Sequence, residues 1–561
     1  MKRKLRSIAE PGTTWEALRR SHWKAMGWSD EDIEKPKIAV VNSSSELAIC
    51  YRHLDGVAEV VKQGIRNAGG MPIEIRTAAP SDVMIGMGGR GGYILASRDL
   101  LVNDIEIAVE GAQLDGMVCL SSCDKTMPAH LMAAGRLDIP TILVICGYQP
   151  AGRLDGKHVD IEDVFAGAVQ AALGKLPREQ LMRMTDAAVQ GPGVCQGMAT
   201  ANSMHVVCEA IGMTLPGSAP ILANSPRMFD LARRSGERIV EMIRDDLNPR
   251  DIMTAGAFRN ATAAMLAISG SINCIKHLQA TATETGVDID IFSLTNELGR
   301  DVPVLSAVRP NGAHTISEFD AAGGACALLK QLEPMLDGQV MTVSGRTMAE
   351  VLAERTVADD EVIRPLERPC ARQASIVVLR GSLAPESAIL KLGAQEGAVA
   401  RRFSGEAIVF ADGLEAIAAI KRGDVKPGHA LVVHGMGPKG GPGMAGPASA
   451  VVFALFAADL QGKVAFISDG QLSGLCNKGM TIAEVSPEGA IGGPIALVEN
   501  GDRIAIDVDK LTLDVDVDAT ELARRSEALG EIELRDASGY LSIYRRDVQN
   551  MTDGVVLLPC D

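Results

Sequence analysis

Short apolar runs alternate with longer amphipathic stretches through roughly the first two thirds of the chain. The runs "KIAVVN" (Lys37 to Asn42) and "TILVIC" (Thr141 to Cys146) are rich in β-branched residues and "GMVCL" (Gly116 to Leu120) is an apolar run, which predicts buried strands of a parallel sheet. Between them "LDGVAEVVKQGIRNAG" (Leu54 to Gly69) spaces its apolar residues as a helix does. "FDLARRSGERIVEMIRDDL" and "AFRNATAAMLAISGS" read as further helices that cover the sheet. Around "RPLERPCAR" (Arg364 to Arg372) prolines and charges break the periodicity. Short strand patterns follow: "EAIVFA", "HALVVHG", "KVAFISDG", "PIALVENGDRIAIDV" and "LTLDVDV", with Asn500-Gly501 as a hairpin signal. The pattern predicts an α/β protein with a mostly parallel sheet in residues 1–370 and a β-rich domain with a few helices in residues 371–561.

Composition narrows the partners. Aromatic residues are only 3% of the chain while it holds 58 Gly and 24 Met, so the core is built from Ala, Val, Ile, Leu and Met. A net charge of −16 with no basic run leaves no cationic face for nucleic acid. The longest apolar run, Ala448 to Ala458, is too short to span a bilayer, and the basic start lacks the apolar stretch of a secretory signal. The expectation is a cytoplasmic protein without a membrane partner. Eleven Cys, an odd number scattered along a long chain, point to reduced thiols rather than a disulfide framework.

Three of those thiols sit in polar or Gly-rich, turn-like settings: Cys50 in "NSSSELAICYRHL", Cys123 in "SSCDKTMPAHL" and Cys195 in "GPGVCQGMATANSM". Cys119, Cys146, Cys208, Cys274 and Cys326 lie in apolar patterns and read as core. Three thiolates are one short of a closed tetrahedral site, and three can hold an iron–sulfur cluster that leaves one iron open. Asp82 and Asp124 offer oxygen ligands for a hard cation such as Mg²⁺, and both equally suit turn or cap positions. Lys125 reads as a partner for its neighbour, as a partner for a substrate carboxylate, or as a lysine made neutral and open to modification by burial. The Gly-rich "HGMGPKGGPGMAGP" lacks a P-loop ending and reads as an anion nest or close-approach loop. In "SDGQLSG", Ser468, Asp469 and Ser473 follow a strand in a turn with no triad spacing.

Taken together, "CDKTMPAHLMAAG", "LPGSAPILA", "PRDIMT", "LRGSLAPE", "GPKGGPGM" and "SDGQLSG…VSPEGAIGGPIALVENGD" resemble the dihydroxy-acid dehydratase and sugar-acid (phosphogluconate) dehydratase family, in the family's order along nearly the whole chain. The resemblance implies an N-terminal α/β domain and a C-terminal β-barrel-like domain with flanking helices. It implies Cys50, Cys123 and Cys195 as ligands of a [2Fe-2S] cluster, or [4Fe-4S] as in some members. Asp82, Asp124 and Lys125 become ligands of Mg²⁺, the Lys carbamylated as in some relatives. Ser473 matches the catalytic base. The implied reaction is dehydration of a 2,3-dihydroxy carboxylic acid to a 2-keto acid by a homodimer or homotetramer.

Several positions depart from the family pattern. No Glu follows "GPKGGPGM", where the chain reads Ala445-Gly446-Pro447, and none precedes the run that starts at Gly437. "MGGRGG" stands where dihydroxy-acid dehydratases have Gly-His-Glu-Gly-Met-Arg; Gln471 replaces an Arg and Glu484 a His. Glu484 is a candidate replacement metal ligand. "LASRDLLVNDIE" is closer to the branched-chain enzymes, while the altered loop implies a different pocket and another hydroxy acid, sugar acids included. The missing Glu also leaves room for a binding or regulatory protein without dehydratase activity, and the same proton abstraction would serve a hydroxy-acid epimerase.

Overall fold

The computed structural model describes residues 5–79, 81–86, 89–392, 400–443, 446–476, 479–530, 532 and 538–557. Met87 and Gly88 of the altered loop, and Met444 and Ala445 after the Gly-Pro-Lys run, lie outside the described residues.

Lys37–Asn42 (β1), Met71–Arg76 (β2), Gly116–Ser121 (β3) and Thr141–Ile145 (β4) form a parallel sheet in the order β2-β1-β3-β4. The three strands other than edge strand β2 are buried at every position, as continuous apolar runs require when helices cover both faces. The chain passes outward from β1 to β2 and then returns to the other side of β1 as β3. The loops leaving β1 and β3 therefore diverge at their carboxyl ends, where open α/β sheets form a crevice.

Helix Leu54–Asn67 buries Leu54, Val57, Ala58, Val61, Gly64 and Ile65 on one face. It packs against helix Pro226–Asp245, which starts on a Ser225 cap and a first-turn proline. The two backbones nearly touch. A Cβ on Gly64 would lie 2.1 Å from the Arg233 carbonyl oxygen, and one on Gly236 would lie 2.3 Å from that of Val61. Beyond β4, Gly152–Leu154 (β5) and Lys157–Val159 (β6) form a small hairpin.

The C-terminal half contains an eight-stranded mixed sheet. Its strands are Ile376–Leu379 (β7), Ser387–Lys391 (β8), Arg402–Phe410 (β9), Ala430–Val433 (β10), Ala465–Ser468 (β11), Thr481–Ser486 (β12), Arg503–Asp507 (β13) and Thr512–Val515 (β14). They run in the order β14-β13-β9-β10-β11-β12-β8-β7. Arg380, just past β7, donates its N–H to the Leu511 carbonyl and accepts from the Leu513 N–H, which nearly closes a barrel. Side chains alternate across the wall. Ala430, Val432, Ala465 and Ile467 fill the barrel interior, while Leu431, Val433 and Phe466 join the large core that also holds Val40 and Val118 of the parallel sheet. In β12 the register shifts between Ala483 and Ser486, and Glu484 takes φ +54°, so a bulge re-aims this residue.

One turn differs from its sequence expectation. Asn500-Gly501 joins a single 3-10 turn, Pro494–Leu497, to β13 instead of joining two strands, and the hairpin forms between β13 and β14. Backbone bonds to β9, including Gly501 N–H to the Ala407 carbonyl, determine the outcome. Among the described residues, no helix is long and apolar enough to cross a membrane.

The helix crossing gives a direct test. Gly64→Ala should lower the thermal midpoint, at a cost of about 1–3 kcal/mol for overpacking against backbone. Gly56→Ala in the same helix, whose Cβ would meet nothing within 4 Å, should be neutral or stabilising by up to about 1 kcal/mol. Scanning calorimetry of the two variants checks the pair.

Candidate active site

The divergence of the loops after β1 and β3 brings Cys50 and Cys123 together. Ser122 Oγ donates to the Cys50 carbonyl at 2.6 Å and so ties one loop to the other. Thr126 Oγ1 accepts from Ser122 N at 3.0 Å and donates to the Cys123 carbonyl at 2.9 Å, which shapes the turn before helix Thr126–Leu137. Cys195 arrives from a loop that pairs with the chain beyond β4, where Val194 N–H donates to the Gly147 carbonyl. Asn202 Nδ2 donates to the Cys195 carbonyl at 2.8 Å. None of the three is in a disulfide.

These sulfurs feel one another. The Cys123 thiol is pushed up first by its hydrogen bond with Cys50, then by burial, Asp124 and Asp82. Burial raises Cys195, and Asp124, Cys50, Asp160 and Asp82 raise it further. The Tyr51 hydroxyl, buried beside Cys123 and Cys50, is raised as well. The site thus crowds acidic groups where few of them can ionise without a cation.

Asp82, on the loop after β2, and Asp124 flank the fully buried Lys125. Its Nζ lies 3.1 Å from Asp82 Oδ2 and 3.7 Å from Asp124 Oδ2. Burial and the charge of Asp82 raise Asp124, against the pull of Lys125. Asp82 Oδ1 is buried without a hydrogen-bond partner. The Thr200 side chain bonds Asp124 and meets Asn273 Nδ2 and Ser271 Oγ, each at 2.9 Å.

Ser473 comes from the barrel, on the loop after β11. Its N–H donates to Ser449 Oγ at 2.9 Å, its Oγ accepts from Leu475 N–H at 3.3 Å, and the residue remains partly exposed. The next residue, Gly474, sits so close to helix Thr200–Ala210 that a Cβ there would lie 2.6 Å from Thr200 N. The loop therefore rests on the residue that holds Asp124.

Glu484 is completely buried, and its Oε1 accepts from Lys276 Nζ at 3.0 Å. Its Oε2 has no hydrogen-bond partner. The Gly-rich loop after β10 acts as an anion nest for the protein's own carboxylates. Asp469 accepts from Gly435, Met436 and Gly489 N–H, and Glu488 from Lys439 and Gly440 N–H. A cleft of about 490 Å³ is lined by Met84 and Ile85, which follow Asp82, with Arg90, Tyr93, Ser97 and Tyr540.

Sequence reasoning did not find Tyr51, Thr200 or Lys276. Tyr51 adjoins Cys50 and could have been flagged by position. A Lys within the apolar helical pattern "INCIKHLQA" is a readable sign of a buried cation. Thr200 carries no sequence signal, because its role depends on Asp124 and Gly474 arriving from distant segments.

Residues 35–351 match the domain described as Dihydroxy-acid/6-phosphogluconate dehydratase N-terminal, and residues 361–555 match its C-terminal counterpart. The chain belongs to this dehydratase family. It is 41% identical to the dihydroxy-acid dehydratase of Moorella thermoacetica over 99% of this chain and 100% of that one. It is 40% identical to that of Methanococcoides burtonii, over 96% of this chain and 98% of the relative. The dihydroxy-acid dehydratase of Pyrococcus abyssi shares 39% over 96% and 97%.

In this family member the cysteine turn rests on neutral histidines. His130 is paired with Ser121 Oγ at 2.8 Å and His205 with the Ser122 carbonyl at 3.1 Å. Burial pulls His130 down from 6.5 to about 3 and His205 from 6.5 to about 4. Below pH 6.5 the unfolded chain protonates these rings while the folded chain does not. Their contribution to stability is therefore complete above that pH and is lost as pH falls toward 4 and then 3. His130→Gln should flatten the fall of unfolding free energy in that window by about 1.4 kcal/mol per pH unit. Denaturant titrations of both proteins at stepped pH measure the difference.

Proposed function

We propose that the protein is a hydro-lyase that dehydrates a 2,3-dihydroxy carboxylic acid, of branched-chain or sugar-acid type, to a 2-keto acid. The observation that carries this reading is the meeting of three thiols, two carboxylates and a buried lysine with a serine loop from the other half of the chain. Residues 1–370 are read as the cluster-binding domain and 371–561 as the domain that brings the base. The resemblance supports a cytoplasmic homodimer or homotetramer.

The residues fit the groups that the family implies. The Cys123 and Cys195 thiols are both pushed up, so they need a cationic partner to become thiolates, and Cys50, Cys123 and Cys195 suit a [2Fe-2S] or [4Fe-4S] cluster. Asp82 Oδ1 is an orphan oxygen beside Asp124, and the two carboxylates suit Mg²⁺. Lys125 lies between them, so it serves as a ligand only after its amine loses a proton and takes up CO2 as an anionic carbamate that presents an oxygen. Glu484, the candidate further ligand, has Oε2 free but Oε1 engaged by Lys276. When bound, the cluster and Mg²⁺ would supply Lewis acidity toward the leaving hydroxyl and the substrate's carboxylate end.

The chain's own groups do the rest. Ser473 Oγ, acting as the alkoxide, takes the proton from C2, and the Leu475 N–H at 3.3 Å stabilises charge on that oxygen. The Ser449 bond to Ser473 N–H fixes the loop from below. The C2–H and C3–O bonds break, the hydroxyl departs as water with the proton that Ser473 took from C2, which returns the serine to its starting form, and the resulting enol tautomerises to the 2-keto acid.

Purified anaerobically, the protein should contain iron and acid-labile sulfide and release 2-keto acid from at least one member of a panel of branched dihydroxy and aldonic acids. Cys123→Ser should abolish iron binding, and Ser473→Ala should keep iron while lowering kcat by about 10²–10⁴-fold. Iron-replete protein that forms no keto acid from the entire panel would defeat the dehydratase reading. Exchange of the C2 proton with inverted product would replace it with epimerisation, and tight binding without turnover with a binding role.

A further inference from the structure

Helix Asn273–Thr285 is buried around nearly its whole circumference, and Lys276 on it has no exposed surface. Burial lowers this lysine to about 8 against the opposing pull of Glu484. From the N-terminal body its Nζ reaches across to the barrel, where it donates to Gln471 Oε1 and, at 3.0 Å, to Glu484 Oε1. Two of the departures from the family pattern thus prove to be the two acceptors of one cation. An Arg at 471 or a protonated His at 484 would set positive charge against Lys276 and offer it no acceptor.

Backbone geometry supports the same connection. Glu484 holds φ +54° at the β12 bulge, a conformation L-residues rarely adopt, and its N–H donates to the Gly470 carbonyl at 3.1 Å. Gln471 stands two residues before Ser473. The loop is otherwise anchored within the barrel half, at Asp469 by Gly435, Met436 and Gly489, and at Ser473 by Ser449. Across to the half that carries the thiols, it has the packing of Gly474 on Thr200 and the bond from Lys276. Packing limits how near the loop can come, and the lysine bond holds it there.

We propose that Lys276, paired with Glu484 and acting through Gln471, is the positioning residue that registers the Ser473 loop against the cysteine and aspartate cluster. The inference rests on the reading of Ser473 as the base. A small displacement of a base from the C–H bond it attacks slows proton removal without loosening the substrate's carboxylate, so the effect falls on kcat and not on KM.

Three variants test it in the iron-loaded enzyme: Lys276→Met, the double variant Lys276→Met with Glu484→Leu, and Gln471→Met. Lys276→Met leaves Glu484 buried without its cation and should lower the thermal midpoint. The double variant should recover the midpoint. In all three, kcat should fall by about 10²-fold with KM within about threefold, and the isotope effect with C2-deuterated substrate should rise. If the double variant or Gln471→Met keeps the wild-type kcat and isotope effect, the proposal is overturned and the pair only stabilises the fold. Gln471→Met retains the ion pair, so it decides the matter even if both Lys276 variants fail to fold. Failure of the underlying reading looks different: the wild-type enzyme would form no keto acid, or Ser473→Ala would retain full kcat.

Discussion

Gly474 and the first residue of helix Thr200–Ala210 approach each other so closely that no side chain fits between them. The contact joins a barrel loop to the start of a helix in the other half of the chain, and Thr200 in turn bonds Asp124. Neither half contains the whole set of groups proposed for the reaction. The thiols and carboxylates lie on loops of the parallel sheet and the helical body, and the serine lies on the barrel. A large apolar core shared between the two sheets brings these surfaces together.

Electrostatics explains why the union needs help. Burial and acidic neighbours raise Cys123, Asp124 and Cys195, so these groups favour protons or cations over free negative charge. The cations supplied by the chain are themselves buried. Lys125 stands between Asp82 and Asp124, Lys276 holds Glu484, and Arg98 is held by Asp99 and the carbonyls of Gly554 and Val555. These charges lie near enough for Lys125 and Arg98 to depress Lys276. Pairing them outweighs the cost of taking them from water only while each partner is present. The functional reading and the bridging role of Lys276 both grow from this balance.

Much of the architecture was legible from local pattern. Fully apolar runs became fully buried parallel strands, as with Lys37–Asn42 and Gly116–Ser121, because both faces of such a strand leave water. The short apolar runs Ala430–Val433 and Ala465–Ser468 became strands of the barrel wall, though which side chains face which core was decided by the packing. Asn500-Gly501 misled because turn chemistry describes only the turn, whereas hydrogen bonds to β9 decide which neighbour becomes a strand. In the site, "CDK" was readable as a motif, and Cys50 and Cys195 as thiols outside apolar patterns. Thr200 and the partners of Glu484 were not readable, since nothing in their flanking residues indicates what packs on them.

By itself the sequence determined the residue types, the strand and helix periods and the family, for these depend on neighbours within a few positions or on ordered motifs. Tertiary structure alone decided that thiols 73 and 72 positions apart in the chain come close enough to act on one another, Cys50 with Cys123 and Cys195 with Cys50. It also decided that Glu484 answers a lysine 208 positions away and that Gly474, next to Ser473, packs on Thr200, which bonds Asp124. The reason is that pairing of distant charges and close approach of backbones are properties of the packed chain, created when strand order and core contacts bring remote loops to one place.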